Sequence, residues 1–523
     1  MESAGVPILS ILLFLPLAGA LVIALLPGER VRTQGILGWL PGTLQEQAKW
    51  TAFIVSFGSL VISLVLFIIF DKSNPDFQFT DTFAWIRGED VGFDVQYALG
   101  VDGLSMPLVL LNGLLATVAV MISWHIDLRP KEYFAYLLIL EASVFGVFMA
   151  LDLLLFFLFF ELELIPMFLL ISIWGSGKRR NYSALKFVLY TVFGSSFMLV
   201  GFLLMGTAAD SFDFRDIRDS DLAAAVVPVQ MIFAFVMIAF SVKLPVVPLH
   251  TWLPDAHTDA PTAVSVLLAG VLLKMGGYGI IRLLFTLMPD VAADADLAIA
   301  IIAAVSIVYG AIVTIRQTDL KRLIAYSSVS HMGFVLLGVS ALGTTGISGA
   351  AMQLVTHGLI TAMLFAVVGM LYDRTHTRQI GDMSGLMHHT PLLGAAVVFA
   401  GLAALGLPTL AGFVAEITIF FGAFAAHKEV AAVALLGVLL AAGYVMWMLQ
   451  RTIFGPRDEK WAHLEDAKTW WEFGSLGVLA AAIILLGVYP AIVMDLFEAS
   501  AEPIARGIEA AQSTAITSVG AGG

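Results

Sequence analysis

The sequence predicts an all-α polytopic membrane protein with about 14 transmembrane helices. Its 523 residues are 59% hydrophobic and 13% charged, and the mean hydropathy is +0.93. A soluble chain carries about twice that charged fraction. The apolar runs reach the ~20 residues that one helical span needs, and they lack the alternation of apolar and polar residues that marks an outer-membrane barrel. The first apolar run has no preceding basic region and no small-residue cleavage site, so it is expected to be a first span.

Fourteen apolar segments follow one another along the chain, and two of them are interrupted by proline. Pro245 and Pro248 break the seventh segment, and Pro408 between two glycines breaks the twelfth. These two segments lie five apart, and an odd offset gives two repeats of opposite orientation, which is the pattern of a transport site. The segments are 6–26, 50–70, 104–124, 133–150, 153–173, 182–207, 229–249, 260–287, 297–315, 323–342, 347–371, 392–426, 430–449 and 471–494.

Basic residues in the loops predict the orientation of the chain. Of the 27 lysines and arginines, 18 fall in odd-numbered loops and seven in even-numbered loops and the C-terminal tail. Loops rich in lysine and arginine stay in the cytoplasm, so both termini are expected to face outward. The tail beyond Pro503 is rich in Ala, Gly, Ser and Thr and is expected to fray.

The composition also excludes several classes of site. The chain has no cysteine, which excludes a Cys-ligated iron–sulfur cluster and a disulfide framework. It has no basic patch with interleaved aromatic residues, so nucleic acid is not an expected partner.

The two remaining basic residues, Lys243 and Lys274, lie inside the seventh and eighth segments. A charge at membrane depth costs about 3 kcal/mol on insertion scales, so such residues usually serve transport. Glu161 and Glu163 lie in the fifth segment, five and three residues before Pro166. Because they are two residues apart, they face different sides of a helix. For each of these four groups the alternative is a permanent structural ion pair.

Four further polar groups extend the set of candidate site residues. Glu416 follows Pro408 by eight residues, His331 and His357 lie inside the tenth and eleventh segments, and Glu141 lies in the fourth. A neutral imidazole can accept and donate a proton near neutral pH, which suits a relay. The alternative for each histidine is a hydrogen bond between helices, and Glu141 belongs to a second tier of candidates.

His250, Asp255 and His257 form a polar cluster between the seventh and eighth segments. Two histidines among loop prolines do not predict a metal site. These residues are expected to form a cytoplasmic access point or to cap the eighth helix, and His250 joins Glu141 as a second-tier relay candidate.

These groups suggest lateral proton transfer within the membrane. An isolated lysine holds its proton tightly, and one charge pair at ~4 Å with an effective dielectric of ~20 is worth about 4 kcal/mol. A change at Glu161 could therefore switch Lys243 between holding and releasing a proton. The hypothesis is a chain from Lys243 through water or histidine to Lys274, and from there through His331 to Glu416.

Five sequence blocks resemble the antiporter-like membrane subunits of proton-pumping NADH:quinone oxidoreductase, respiratory complex I. They are FFELELIPMFLLISIWG, FSVKLPVVPLHTWLPDAHTDAPTAVSVLLAGVLLKMGGYG, TDLKRLIAYSSVSHMGFVLLG, QLVTHGLITAMLFAVVG and LGLPTLAGFVAE. The resemblance covers residues 104–449 and implies two inverted five-helix repeats. By motif it gives the fifth-helix glutamate as Glu161 and the two lysines as Lys243 and Lys274. Glu416 stands where sister chains usually carry lysine, and Glu163 is not part of the family pattern.

The resemblance implies a division of the chain and a cellular setting. Helices 1–3 would occupy 1–130, the first repeat 131–290, the second repeat 291–452, and a cytoplasmic loop, helix 14 and outward tail 453–523. No cofactor is expected in this chain: NADH, FMN, iron–sulfur clusters and quinone would belong to partner subunits. The expected partners are other membrane-arm subunits, including sister antiporter-like chains, and lipids. The expected location is an energy-transducing membrane, the bacterial inner membrane, with periplasmic termini.

Two other functions remain open from the sequence. A subunit of a multi-subunit Na⁺/H⁺ antiporter would share the same helices but would be driven by a sodium gradient. If the chain is a structural membrane scaffold, neutralisation of Lys243 or Glu161 would leave coupled transport unchanged and would alter only assembly.

Overall fold

The computed structural model describes residues 6–26, 44–86 and 94–520, and long helices make up most of them. Eleven helices in these ranges are long and apolar enough to cross a membrane, and four shorter apolar helices accompany them. The helices are α1 (Ile8–Leu25), α2 (Leu44–Ile69), α3 (Met106–Ile122), α4 (Pro130–Met149), α5 (Leu153–Trp174), α6 (Arg180–Ala209), α7 (Val229–Lys243), α8 (Trp252–Asp259), α9 (Thr262–Phe285), α10 (Asp296–Ile315), α11 (Leu320–Ser340), α12 (Thr344–Thr375), α13 (Pro391–Ala404), α14 (Ala411–Ala426), α15 (Lys428–Thr452), α16 (Trp470–Val488) and α17 (Ala491–Gly520).

Each of the fourteen predicted segments contains a helix or a pair of helices, so the predicted fold class is confirmed. Shorter helical turns at Phe214–Arg218 and Pro289–Asp294 occupy two of the connections. The basic residues Arg30, Arg32 and Arg87, which contributed to the orientation count, lie outside the described residues.

Three helices form the centre of the molecule. The membrane-length windows of α9 and α12 are buried throughout, and that of α11 is buried over 94% of its residues. By contrast, α2 and α16 bury only about a quarter of theirs and present Leu, Ile, Val and Phe side chains outward. The polar candidates on the central helices therefore lie inside the protein, away from lipid.

The seventh segment breaks where the prolines predict. Helix α7 ends at Lys243, and the carbonyls freed by the break find partners within the chain: the amide of Val246 donates to the Ser241 carbonyl (2.9 Å), and the indole of Trp252 donates to the Val242 carbonyl (2.9 Å). Protein donors thus replace the water that is absent at membrane depth.

The twelfth segment breaks between α13 and α14. Gly406 in this connection has a positive φ of 76°, a conformation that glycine adopts without a steric penalty. The amide of Leu407 then donates to the Leu402 carbonyl (3.1 Å), so the chain turns within a few residues before α14 begins. Both predicted interruptions are therefore present.

A small β hairpin, which the segment pattern did not predict, lies before α3. Strands β1 (Gln78–Ile86) and β2 (Val95–Val101) pair antiparallel. The carboxylate of Asp81 accepts hydrogen bonds from the amide and hydroxyl of Ser10, both at 2.8 Å, and this ties the hairpin to α1. The hairpin is a cap on the helices and not a separate domain.

The expectation that the tail frays beyond Pro503 is wrong. Helix α17 continues through Pro503 to Gly520. Leu496 and Phe497 are buried before the proline, and Ile504 and Ile508 are buried after it. Helix α17 packs along α12 and the turn at Pro289–Asp294. This amphipathic face supplies the tertiary contacts that hold the helix, which local composition does not reveal.

Candidate functional site

Lys243, the last residue of α7, forms an ion pair with Glu163 of α5. Both side chains are at most 1% exposed. The rings of Phe160 and Phe187 lie 5.0 and 5.6 Å from the Lys243 Nζ, so cation–π contact adds to the ion pair. One oxygen of Glu163, Oε2, has no hydrogen-bond partner.

The structure pairs Lys243 with Glu163, whereas the sequence reasoning named Glu161 as the group that controls Lys243. Helix α5 turns Glu163 toward α7, and Glu161 points to another side, partly exposed and close to Ser195 of α6. A two-residue step rotates a side chain about 200° around a helix, so only one of the two carboxylates can face Lys243 directly. Motif matching favoured Glu161, and the packing of α5 against α7 brings Glu163 to the lysine.

Lys274 lies in the middle of the buried helix α9 and is 0% exposed. Its Nζ donates to the Ala269 carbonyl and lies 2.7 Å from Nδ1 of His357 on α12. Ala269 belongs to a π-helical turn, Leu268–Leu272. Such a turn leaves backbone carbonyls outside the regular α-helical ladder, and π-bulges occur often at functional sites.

From His357 the contacts continue to Glu416. The ring centroids of His357 and His331 are 5.7 Å apart. Nδ1 of His331 lies 3.4 Å from a carboxylate oxygen of Glu416, and Nε2 lies 3.3 Å from the Tyr444 hydroxyl. Lys274, His357, His331 and Glu416 therefore form one buried series across α9, α12, α11 and α14. A small cavity with polar side chains, including Ser327 and Gln353, adjoins the two histidines and Glu416.

Helices α7 and α9 meet directly beside Lys243. A Cβ at Gly276 would lie 2.7 Å from the Leu244 amide nitrogen and 3.1 Å from the Lys243 Cβ. Glycine therefore allows the two backbones to touch, two residues from Lys274. Among the described residues no hydrogen bond joins Lys243 to Lys274, so the predicted first link of the chain has close packing but no direct polar contact.

Two groups that the sequence reasoning placed in connections between segments, His257 and Lys321, are buried. His257 is 0% exposed, stacks on Phe365 at 4.6 Å, and has no hydrogen-bond partner on either ring nitrogen. Lys321, which was counted as a loop residue, is 2% exposed and donates to the Ala260 carbonyl. His257 lies close enough to Lys274 and Lys321 to interact with both. No spacing signal distinguishes these residues from their solvated neighbours.

The two second-tier candidates lie outside this series. Glu141 on α4 is 1% exposed and lies beside Ser59. His250 is 3% exposed, and its ring contacts Tyr309 and Tyr326 at centroid distances of 5.3 and 6.3 Å.

The residues that the structure describes contain no group of three side chains placed to hold a metal ion.

Known proteins share this arrangement of helices. Residues 150–441, more than half of the chain, match the family described as NADH:quinone oxidoreductase/Mrp antiporter, TM. The chain belongs to this family. The resemblance predicted from the five sequence blocks is thereby confirmed. Multi-pass placement in an energy-transducing membrane agrees with this membership and with the apolar helices.

Individual relatives match over nearly the whole length. NADH-quinone oxidoreductase subunit M of Rhodobacter capsulatus is 41% identical over 97% of this chain and 99% of that protein. NAD(P)H-quinone oxidoreductase chain 4 1 of Trichodesmium erythraeum (strain IMS101) is 38% identical over 94% of this chain and 92% of its own. A glutamate at position 416, where sister chains usually carry lysine, makes this chain resemble chain M of the family, the counterpart of mitochondrial chain 4. The names of these relatives agree with that resemblance.

One solved structure shares the fold along almost the whole chain. A chain of respiratory complex I from Thermus thermophilus with bound NADH superimposes with a TM-score of 0.82 at 29% identity, covering 95% of this chain and 99% of that one. The helix arrangement is therefore that of a complex I membrane chain.

Proposed function

We propose that this chain is a proton-translocating membrane-arm subunit of NADH:quinone oxidoreductase. The observation that carries the proposal is the buried contact series from Lys274 through His357 and His331 to Glu416. The names of the relatives and the complex I structural match support the same function and favour it over a Na⁺/H⁺ antiporter.

The series has the chemistry that proton transfer needs. An ammonium donates protons and a carboxylate accepts them, and an imidazole does both through its two nitrogens. Nε2 of His357 has no hydrogen-bond partner among the residues that the structure describes, so it is available to a water or to a rotated His331 ring. A proton that leaves Lys274 through His357 can reach Glu416 by two imidazole steps. Before the next transfer, Lys274 must take up a new proton, Glu416 must release the one it received, and each imidazole must turn or exchange its N–H proton to regain its starting tautomer.

In this proposal Lys243 acts before Lys274, the first residue of the series. Lys243 lies against α9 at Gly276, two residues from Lys274, in a buried region of low dielectric where charges interact strongly. A change in the partner of Lys243 alters the field at Lys274 without any direct bond between them. Glu161 is the carboxylate that the family motif assigns to this control. Glu141 and His250 stay second-tier candidates.

The cellular setting follows from the same reasoning. The chain would lie in a bacterial inner membrane with both termini in the periplasm, next to other membrane-arm subunits, including sister antiporter-like chains, and lipids. NADH, FMN, iron–sulfur clusters and quinone would be held by partner subunits, whose redox energy must reach this chain through contact or charge.

The proposed division of the chain places helices 1–3 in 1–130, the first repeat in 131–290, the second repeat in 291–452, and the cytoplasmic loop, helix 14 and outward tail in 453–523.

Replacing Lys274 tests the function. In the assembled complex, Lys274→Ala removes the donor that starts the series, and we expect NADH-driven proton uptake per complex to fall by roughly half or more, since one proton-transfer group contributes about 10²–10⁴ to its own step. Proton uptake into inverted membrane vesicles measures this. The matched control is Lys428→Ala, which removes an exposed lysine at the start of α15.

Wild-type uptake in Lys274→Ala vesicles would contradict the proposed path. Proton movement that needs a sodium gradient and is indifferent to NADH and quinone would instead support an antiporter subunit. Loss of assembled complex with unchanged uptake per complex would support a scaffold.

A further inference from the structure

Lys243 has two carboxylates within reach, and the family motif assigns only one of them. The ion pair joins Lys243 to Glu163, and Glu161 lies close enough to interact electrostatically with both. Within the described part of the chain, each glutamate keeps one oxygen without a hydrogen-bond partner, Oε1 in Glu161 and Oε2 in Glu163. A permanent buried ion pair is stable only when its remaining lone pairs are satisfied, which these are not.

The charges of the three groups do not cancel. One ammonium and two ionised carboxylates give a net charge of −1 in a region where an uncompensated charge is costly. A proton on one carboxyl restores neutrality. That proton belongs on whichever glutamate is not paired with Lys243, so in the observed arrangement it belongs on Glu161.

The two glutamates lead to different surroundings. Glu163 is 0% exposed and faces the interior next to α7, whereas Glu161 is partly exposed and lies beside Ser195 of α6, at the edge of the chain. The regular helix is interrupted at Glu163, and Pro166 offers no amide to the Leu162 carbonyl. This turn of α5 is therefore less constrained than a continuous helix.

We propose that Glu163 is the second partner of Lys243 and that the ammonium alternates between Glu163 in the interior and Glu161 at the edge. This inference rests on the proposed function. When Lys243 moves from Glu163 to Glu161, Glu161 gives up its proton and Glu163 takes one up. Only O–H bonds form and break, and the three groups stay neutral in sum. Each switch replaces the ion pair beside α9 by a neutral carboxyl, and this changes the field at Lys274 without any net transfer of charge among the three groups.

Three variants of the assembled complex test this alternation. Glu163→Gln and Glu161→Gln are each expected to lower the protons moved per NADH by roughly half or more, because either change removes one of the two stations. Glu163→Asp keeps the carboxylate and is expected to restore most of that loss. Proton uptake and NADH oxidation in inverted vesicles measure the ratio. The control is Glu132→Gln, a carboxylate 43% exposed near the start of α4.

A second measurement separates proton exchange from a fixed ion pair. Infrared difference spectra of the complex with and without NADH should contain a protonated-carboxyl band that disappears in Glu163→Gln and shifts in Glu163→Asp. If that band is unchanged in Glu163→Asp, or if Glu163→Gln moves wild-type numbers of protons per NADH, Glu163 is a fixed partner and the alternation is wrong. If Lys243→Ala also moves wild-type numbers of protons, the proposed function fails as well.

Discussion

At the scale of residues, the side chains that carry charge were identifiable, but their pairing was not. Burial at membrane depth singles out Lys243, Lys274 and Glu416 from the sequence, because each sits inside an apolar segment. The partner of Lys243 depends on which face α5 turns toward α7, and the structure selects Glu163. Motif matching gave Glu161, since a motif records spacing and not orientation.

Gly406 shows how one residue can position the end of the series. Its φ is positive, and a Cβ there would lie 2.8 Å from Oε2 of Glu416. We expect Gly406→Ala to cost about 1–2 kcal/mol from the backbone alone and to push the carboxylate away from His331. Proton uptake per complex should therefore fall, and thermal dissociation of the complex should occur at a lower temperature.

Gly443→Ala is the matched control for that substitution. Gly443 is exposed on α15, and no atom lies within 4 Å of a Cβ placed there. Alanine inside a helix should leave stability equal or raise it by about 1 kcal/mol. Equal behaviour of the two variants would show that Gly406 does not hold Glu416 in place.

At the scale of elements, breaks in regular helices mark the functional region. Helix α7 ends at Lys243, α9 contains a π turn next to Lys274, and α13 and α14 are separated by a bend near Glu416. The prolines predicted the first and last breaks. The π turn at Leu268–Leu272 contains no proline, so the proline pattern could not predict it. Helix α17 shows the opposite relation between proline and helix breaks, because it contains Pro503 and continues without a break.

The C-terminal helix is expected to contribute to stability through its buried face. Phe497 is 1% exposed, so Phe497→Ala should destabilise the docking of α17 by about 3–5 kcal/mol. Glu498→Ala, at the neighbouring exposed position, should change stability by less than about 0.5 kcal/mol. Heating the purified complex in mild detergent and measuring retention of this chain compares the two. Equal retention would mean that α17 adds little to the assembly.

At the scale of the whole molecule, the distribution of charge predicts its direction in the membrane. Most basic loop residues fall on one side, and the acid-rich connection that follows α2 falls on the other. The fold places the described loops at the helix ends, as a multi-pass protein requires. Which side faces the cytoplasm remains a prediction from the positive-inside rule.

Cysteine labelling measures this orientation directly, because the chain has no cysteine of its own. Lys460→Cys, exposed in the loop before α16, should react with an impermeant maleimide in inverted vesicles. Asp76→Cys, exposed in the connection after α2, should react only after the vesicles are opened. The opposite labelling pattern would place both termini in the cytoplasm.

The sequence by itself determined the fold class, the spans, the two proline breaks and most of the buried charged groups, because hydropathy and backbone geometry are local properties. Only the tertiary structure decided that Lys243 meets Glu163, that His357 stands between Lys274 and His331, that His257 and Lys321 are buried, and that α17 passes Pro503. These features depend on helix rotation and on contacts between residues far apart in the chain: about 80 residues separate Lys243 from Glu163 and Lys274 from His357. Spacing along one segment carries no information about the face that a distant helix will cover.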